Sequence, residues 1–383
     1  MKKAISLIAI LAMLLGAVSA LAAAPSYDYP TKDFFNQPIP EPKAPYIPDG
    51  TPIISMVQYL AASNFDTEAF INSEYGEVTS IFQKTSYSGY LSDMDENLIA
   101  YWKDQGVVKE GFNLDNEDKA DDYYVYTPAD MEEGALYPLL FVSHGGGSNC
   151  FAVEGMGFIN MIPEEKFILT TAEDTGVENL YAVYGAVTEN YPVDKTRVYA
   201  TGTSAGGMAS VSFAVAYPEL IAAIAPNDIA PSLSAAEEQL SKLRELVVPM
   251  NFTTGLADKY YPYPLTGAGF DGQPKVNGYN TLLSAFGMDE YAMDAAEVEA
   301  LAADSMDIIE HATGIRFPNV RVVNYINNRL YVADFANADG VVVLRINVVE
   351  NKPHMFTGYD ARNAWDFMKQ FSRDPETGAL KVN

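Results

Sequence analysis

The stretch RVYATGTSAGG, residues 197–207, decides the fold that this sequence predicts. It opens with a β-prone run, Arg197–Ala200, and a helical pattern begins at Ser204. Gly202 and Gly206 stand two residues either side of that serine, which gives the pattern G-x-S-x-G. A tight strand-to-helix turn of this kind lifts the serine hydroxyl above the edge of a sheet. The stretch therefore predicts a nucleophile at Ser204, and the alternative is an ordinary helix start that Ser204 caps.

A glycine loop precedes that turn in the chain. His144-Gly145-Gly146-Gly147 follows Leu139–Val142, a short apolar run that is typical of a strand buried on both faces. Backbone N–H groups that no side chain obstructs stabilise the oxyanion of a tetrahedral intermediate. We therefore predict an oxyanion hole formed by the N–H of Ala205 together with that of Gly146 or Gly145. The alternative is a plain glycine-rich turn.

The sequence offers three histidines as a general base: His144, His311 and His354. Where the nucleophile lies on such a turn, the acid and then the base follow it in the chain. His354 meets this requirement, because it lies between the strand-like run Val341–Val348 and an amphipathic closing helix. His144 comes too early and is interpreted as a residue that shapes the glycine loop. His311 lies inside a helical pattern, where a histidine is more often structural.

The acid that orients this histidine is expected on a loop at the end of a sheet strand. Asp258 has that position, because it follows the strand-like run Val247–Phe252. Its carboxylate would hold the tautomer of His354 and stabilise the imidazolium. A plain turn residue is the alternative role for this aspartate. The competing acids are Asp228, Asp334 and Asp339.

Strand-like and helical patterns alternate over residues 121–373. This alternation predicts one α/β domain with a mostly parallel central sheet and helices on both of its faces. The span at about 265–318 is mostly helical and rich in Ala, Glu, Asp and Met, and it is predicted to be a cap inserted between two strands. Residues 374–383 are expected to form a C-terminal tail.

The first 22 residues are predicted to be a signal peptide, in which Lys2 and Lys3 precede an apolar run and a group of small residues. The uncharged run is long enough to span a bilayer, so an uncleaved anchor is the alternative. Residues 23–53 hold eight prolines and are interpreted as an extended linker, and residues 54–120 as an N-terminal extension of unknown role. The mature chain is then expected to be secreted or otherwise extracytoplasmic, without stable membrane insertion.

The charge of the chain limits its partners. A formal net charge of −27 argues against binding to nucleic acid or to an anionic membrane surface, because both are negative. The single cysteine, Cys150, excludes an intramolecular disulfide and a thiolate metal cluster. We expect neither a metal nor a cofactor.

These motifs together resemble the polyhydroxybutyrate depolymerase and feruloyl esterase-like branch of the α/β-hydrolases. The resemblance is carried by the HGGG loop, the stretch Tyr191–Tyr199 leading into GTSAGG, the G-x-x-D of Gly255 to Asp258, and His354 ahead of a helix that contains Trp365. It covers about residues 120–373. The chain departs from the branch at Glu350–Pro353, where glycines are common, and at Lys259–Tyr263, where a valine-proline pair is expected.

The resemblance implies an α/β-hydrolase fold and a serine esterase that forms an acyl-enzyme. It implies feruloyl or acetyl esters of plant cell walls, or hydroxyalkanoate esters, as small or polymeric substrates. Tyr260 and Tyr261 follow the predicted acid, where they would stack on a sugar or a phenolic acid, and ordinary surface packing is the alternative. Two other functions are a serine peptidase resembling the prolyl oligopeptidase group and a non-catalytic exported binding protein that retains the fold. The short N-terminal region argues against the first, and the filled catalytic positions argue against the second.

Overall fold

The computed structural model describes residues 96–114, 119–258, 260, 276–288, 293, 296–297, 300, 310, 316, 320–325 and 328–383. Within these residues the α-helices are α1 (Glu96–Asp104), α2 (Phe158–Glu165), α3 (Val177–Asn190), α4 (Ala205–Ala216), α5 (Glu237–Leu246), α6 (Val276–Ala285) and α7 (Gly358–Met368). The strands are β1 (Val107–Asn113), β2 (Asp122–Pro128), β3 (Tyr137–Ser143), β4 (Ile168–Ala172), β5 (Val193–Thr203), β6 (Ala223–Asn227), β7 (Met250–Gly255), β8 (Val320–Tyr325), β9 (Asn328–Ala336), β10 (Val342–Val349), β11 (Phe371–Arg373) and β12 (Leu380–Val382). The predicted signal peptide and linker, His311 and Tyr261 lie outside the described residues.

Ten of these strands form one sheet in the order β1-β2-β4-β3-β5-β6-β7-β10-β9-β8. Its centre, from β4 to β10, is parallel throughout. The strands at the two ends pair antiparallel with their neighbours. A mostly parallel sheet with helices on both faces, and a serine on the turn after a central strand, is the α/β-hydrolase fold. The predicted fold class is therefore confirmed.

Each face of the sheet has its own hydrophobic core. Successive side chains of a strand point to opposite faces, so Leu139 and Phe141 of β3 join one core, and Leu140 and Val142 join the other. The first core lies under α3, α4, α5 and α6, and the second lies under α1, α2 and α7. Trp365 of α7 anchors the second core, with its ring 4.2 Å from that of Phe167 between centroids.

The domain that the structure describes includes residues on both sides of the range 121–373. Strand β1 pairs with β2 over seven positions, from Val107 to Asn113, and Trp102 of α1 is buried against the sheet. Residues 96–113 therefore belong to the domain. At the other end, β12 pairs with β11, and the N–H of Asn383 donates to the carbonyl of Gln370 at 2.7 Å. Residues 380–383 thus fold back onto the domain.

The segment expected to form a cap contains α6. This helix packs beside α5, where Arg244 donates to the carbonyl oxygen of Ser284 at 3.0 Å. Leu282 and Leu283 are buried in the core under α3 and α4. In this part of the segment the chain thus adds to the body of the domain. No helix within the described ranges is long and apolar enough to cross a membrane.

Candidate active site

The predicted nucleophile lies on a strained turn. Strand β5 ends at Thr203 and α4 begins at Ala205, and Ser204 between them has φ 54° and ψ −117°. A backbone of this kind costs an L-residue about 1–3 kcal/mol and persists only where the surroundings impose it. Two hydrogen bonds hold the turn: the N–H of Ser204 donates to the carbonyl of Asn227, and the N–H of Met208 donates to that of Ser204, both at 3.0 Å.

Close packing around this turn requires the glycines of the motif. A Cβ on Gly202 would lie 2.5 Å from the carbonyl oxygen of Ser143 at the end of β3, and one on Gly206 would lie 2.1 Å from it. Both distances are shorter than any non-bonded contact can be. The first turn of α4 therefore touches the end of β3 directly, which is possible only without side chains at these two positions.

The glycine loop lies beside the turn. A Cβ on Gly145 would be 3.7 Å from the Cβ of Ser204, and one on Gly146 would be 3.6 Å from the Cβ of Ala205. Both glycines thus line the approach to the serine. His144 fixes the loop, because its ring nitrogens lie 2.9 Å from the carbonyl oxygen of Gly145 and 3.0 Å from that of Glu173, just after β4.

The predicted base and acid are in direct contact. Asp258 follows β7 and His354 follows β10, and these two strands are parallel neighbours. The Nδ1–H of His354 donates to Oδ2 of Asp258 at 2.7 Å. The Asp258 carboxylate is fully buried, whereas the imidazole keeps 14% of its surface exposed. A buried carboxylate beside a partly exposed imidazole is an arrangement suited to proton transfer.

Backbone contacts hold the two loops together. The N–H of Leu256 donates to the carbonyl of Val349 at 2.9 Å, and the N–H of Ala257 donates to that of Lys352 at 3.1 Å. A Cβ on Gly255 would lie 2.0 Å from the same Lys352 oxygen, so the glycine permits the approach. These backbone hydrogen bonds thus hold the loops of Asp258 and His354 close enough for the two side chains to contact each other.

This contact changes the proton affinity of His354. Burial disfavours the imidazolium of His354, but the hydrogen bond from the ring to Asp258 and the charge of that carboxylate outweigh burial. The pKa of His354 is therefore raised above its ordinary value. The surroundings stabilise the cation that forms when the histidine accepts a proton.

The competing acids have other partners. Asp228 follows β6 and pairs with the Lys352 ammonium at 2.7 Å. Asp334, on β9, pairs with Nε of Arg345 at 2.5 Å, and Asp339 is exposed in the turn that follows β9. The geometry thus favours Asp258 as the acid of His354. Sequence reasoning did not anticipate the buried pair of Asp228 and Lys352, because a lysine in a polar turn is usually solvated.

Tyr260 borders this group. Its ring centroid lies 4.7 Å from that of His354, its N–H donates to Oδ1 of Asp258 at 2.8 Å, and 41% of its surface is exposed. The side chain therefore offers an accessible aromatic surface next to the imidazole.

In the described part of the chain, no group of three or more His, Cys, Asp or Glu side chains is placed to bind a metal ion.

No family model matches the chain, and no curated protein does. Among solved structures, a feruloyl esterase module from Clostridium thermocellum complexed with sinapinate is 14% identical, with 69% of this chain and 87% of that one covered and a TM-score of 0.40. A thermostable esterase is 17% identical, with 48% and 52% covered and a TM-score of 0.36. A fluorophosphonate-binding serine hydrolase of Staphylococcus aureus is 16% identical, with 40% and 81% covered and a TM-score of 0.34. The chain spans about half the length of the thermostable esterase. Because these identities and TM-scores are low, we assign the fold from the strand order of this chain and from its serine turn.

Proposed function

We propose that this chain is an extracytoplasmic serine esterase that hydrolyses carboxylic esters, with Ser204 as nucleophile, His354 as base and Asp258 as the orienting acid. The observation that carries the proposal is the 2.7 Å hydrogen bond between His354 and Asp258. His354 follows β10 and Asp258 follows β7. Both therefore lie at the carboxyl ends of the parallel strands, where the strained serine turn follows β5. A nucleophile followed along the chain by an acid and then by a base is the order of a serine hydrolase of this fold.

Acylation begins when Oγ of Ser204 attacks the ester carbonyl carbon. Because Nδ1 of His354 donates to Asp258, Nε2 is the nitrogen that can take the serine proton. The imidazolium then returns this proton to the departing alkoxide, and the acyl group stays on the serine oxygen. In the second half of the cycle, water attacks the acyl carbon, and the histidine again takes and returns a proton.

The tetrahedral intermediates need donors for their oxyanion. The N–H of Ala205 lies at the N-terminus of α4, where the helix dipole favours negative charge. The N–H of Gly146 or Gly145 is the second donor, because these glycines lie against Ala205 and Ser204 without side chains of their own. Loss of one such donor typically costs about 10²–10³ in kcat.

The surroundings favour uncharged esters. The net charge of −27 disfavours anionic substrates, and the exposed Tyr260 ring beside His354 provides a flat apolar surface. We propose feruloyl or acetyl esters of cell-wall polymers and short hydroxyalkanoate esters as the substrate class. The predicted signal peptide, residues 1–22, supports export.

Two measurements test the function. The purified chain is expected to react with a fluorophosphonate probe and to hydrolyse p-nitrophenyl butyrate, methyl ferulate, acetylated xylan or polyhydroxybutyrate faster than a peptide anilide. Ser204→Ala should abolish both reactions with the fold intact. Ser212→Ala, which changes an exposed serine on the same helix, is the control and should behave like wild type. Retained hydrolysis in Ser204→Ala would contradict the mechanism, and faster cleavage of the anilide would indicate a peptidase.

A further inference from the structure

A buried lysine lies two residues before His354. The side chain of Lys352 is fully buried, although it belongs to a polar turn. Its ammonium lies 2.7 Å from Oδ1 of Asp228 and 3.3 Å from Oδ2 of Asp360. A buried charge is tolerated only when it is paired, so the position of this lysine depends on the two carboxylates.

Asp228 joins this lysine to the serine turn. Its other oxygen, Oδ2, accepts a hydrogen bond from Oγ1 of Thr203 at 2.7 Å, and Thr203 is the residue before Ser204. The backbone of Asp228 has φ 53°, and its N–H donates to the carbonyl of Thr253 at 2.8 Å. One carboxylate therefore contacts the strand that leads to the nucleophile and, through Lys352, the turn that leads to the base.

Asp360 extends the contact to the helix that follows His354. It accepts hydrogen bonds at 2.8 Å from the N–H of Thr357, at the start of α7, and from the hydroxyl of Tyr325 on β8. The Lys352 turn is thus held on both sides of the histidine: by Asp228 from the serine turn and by Asp360 from α7.

Stability alone is a weak reason for such a group, because apolar side chains of the same volume often stabilise a core as well as a buried ion pair does. Hydrogen-bonded charges add rigidity, because they fix the distances between the groups they join, whereas apolar contacts allow these distances to vary. Resting on the esterase function proposed above, we infer that Lys352 and Asp228 are positioning residues that hold the turn of His354 at a fixed distance from the turn of Ser204.

The charges of Asp228 and Lys352 also change the pKa of His354. His354 contacts Asp258 and the ring of Tyr260, and it interacts electrostatically with the Asp228 carboxylate and the Lys352 ammonium. The charge of Asp228 raises the pKa of His354, and the charge of Lys352 lowers it. Removal of the Asp228 charge should therefore lower this pKa, which a purely structural role would not do.

The main test is Asp228→Asn, because asparagine keeps the volume of the side chain and tolerates a positive φ. We expect kcat on p-nitrophenyl butyrate to fall by about tenfold or more with little change in KM, since misplacement of the base acts on the transition state. We also expect the acidic limb of the kcat/KM profile to move to lower pH. Lys352→Met should lower kcat similarly, and the double variant should lose little more than the worse single variant.

The control is Asp334→Asn, which removes the carboxylate from another poorly exposed ion pair, with Arg345. It should lower the melting temperature but leave kcat and the pH profile at wild-type values. If Asp228→Asn behaves like this control, the inference is wrong, and the buried group only stabilises the fold.

A second readout separates this inference from the proposed function. If wild type neither reacts with fluorophosphonate nor hydrolyses any ester, the esterase proposal fails. The positioning can then be measured by NMR titration of the histidine rings, because the chain has only three and His354→Gln assigns the signal. A lower pKa of His354 in Asp228→Asn, but not in Asp334→Asn, would support the inference, and equal pKa values in all three proteins would overturn it.

Discussion

Nδ1 of His354 lies 2.7 Å from Oδ2 of Asp258, although 96 residues separate the two in the chain. Parallel pairing of β7 with β10 brings the loops together, and the hydrogen bonds between them fix the distance. A buried carboxylate that accepts from Nδ1 determines which ring nitrogen remains available as a base.

Asp258→Asn tests this relationship directly. The amide can present an N–H to the ring, which favours the tautomer in which Nε2 carries the proton and cannot accept another. We expect kcat on p-nitrophenyl butyrate to fall by about 10³–10⁴-fold with little change in the melting temperature. The comparison is Asp334→Asn, which should keep its activity. A loss of less than about tenfold in Asp258→Asn would show that another group orients the base.

The raised pKa of His354 predicts the pH dependence of activity. The base must be neutral to accept the serine proton, so kcat/KM should fall as the solution is acidified through this pKa. Because Asp258 raises the pKa, the midpoint of the acidic limb should lie above the value of about 6.5 for an unperturbed histidine. A midpoint below that value would contradict the assignment of His354 as the base.

The contribution of His354 to the stability of the fold should depend on pH in the opposite direction to activity. The pKa of His354 is higher in the folded protein, so its pairing stabilises the fold fully below the unfolded pKa of about 6.5 and is lost as pH rises through the folded pKa. His354→Gln should therefore reduce the free energy of unfolding more at about pH 5.5 than at about pH 8.5. Urea denaturation of both proteins at the two pH values measures this difference. An equal loss at both would show that the pair does not couple to protonation.

Features of the fold that are encoded within a short stretch of sequence can be predicted, whereas features that depend on distant residues cannot. The central strands and the serine turn are encoded locally, since short apolar runs such as Leu139–Val142 and the glycines around Ser204 carry their own signal. Strand β1 lacks such a signal, because this edge strand exposes the apolar Val108 and Phe112 and buries the charged Lys109, so residue type does not follow burial. Burial of Lys352 depends on Asp228, 124 residues away, and no pattern within one element reveals such a pairing.

Gly206→Ala tests whether the close approach at the serine turn is required. The new Cβ would lie 2.1 Å from the carbonyl oxygen of Ser143, so α4 must move away from β3. We expect the free energy of unfolding to fall by at least about 2 kcal/mol and fluorophosphonate labelling to be lost. Gly185→Ala is the matched control, because nothing lies within 4 Å of its Cβ in α3. Alanine there should raise stability by about 0.5–1 kcal/mol and leave labelling unchanged.

Tyr260→Ala tests whether the aromatic surface beside the imidazole recognises the acyl group. An aromatic contact is worth about 0.5–1.5 kcal/mol, so loss of the ring should raise KM for methyl ferulate by about two- to tenfold and leave KM for p-nitrophenyl acetate nearly unchanged. Tyr181→Ala, at an exposed tyrosine on α3 that stacks on Tyr217, is the control and should affect neither ester. If Tyr260 only packs against His354, the variant should instead lower kcat for both esters by the same factor. The ratio of the two kcat/KM values therefore separates recognition of a phenolic acid from support of the base.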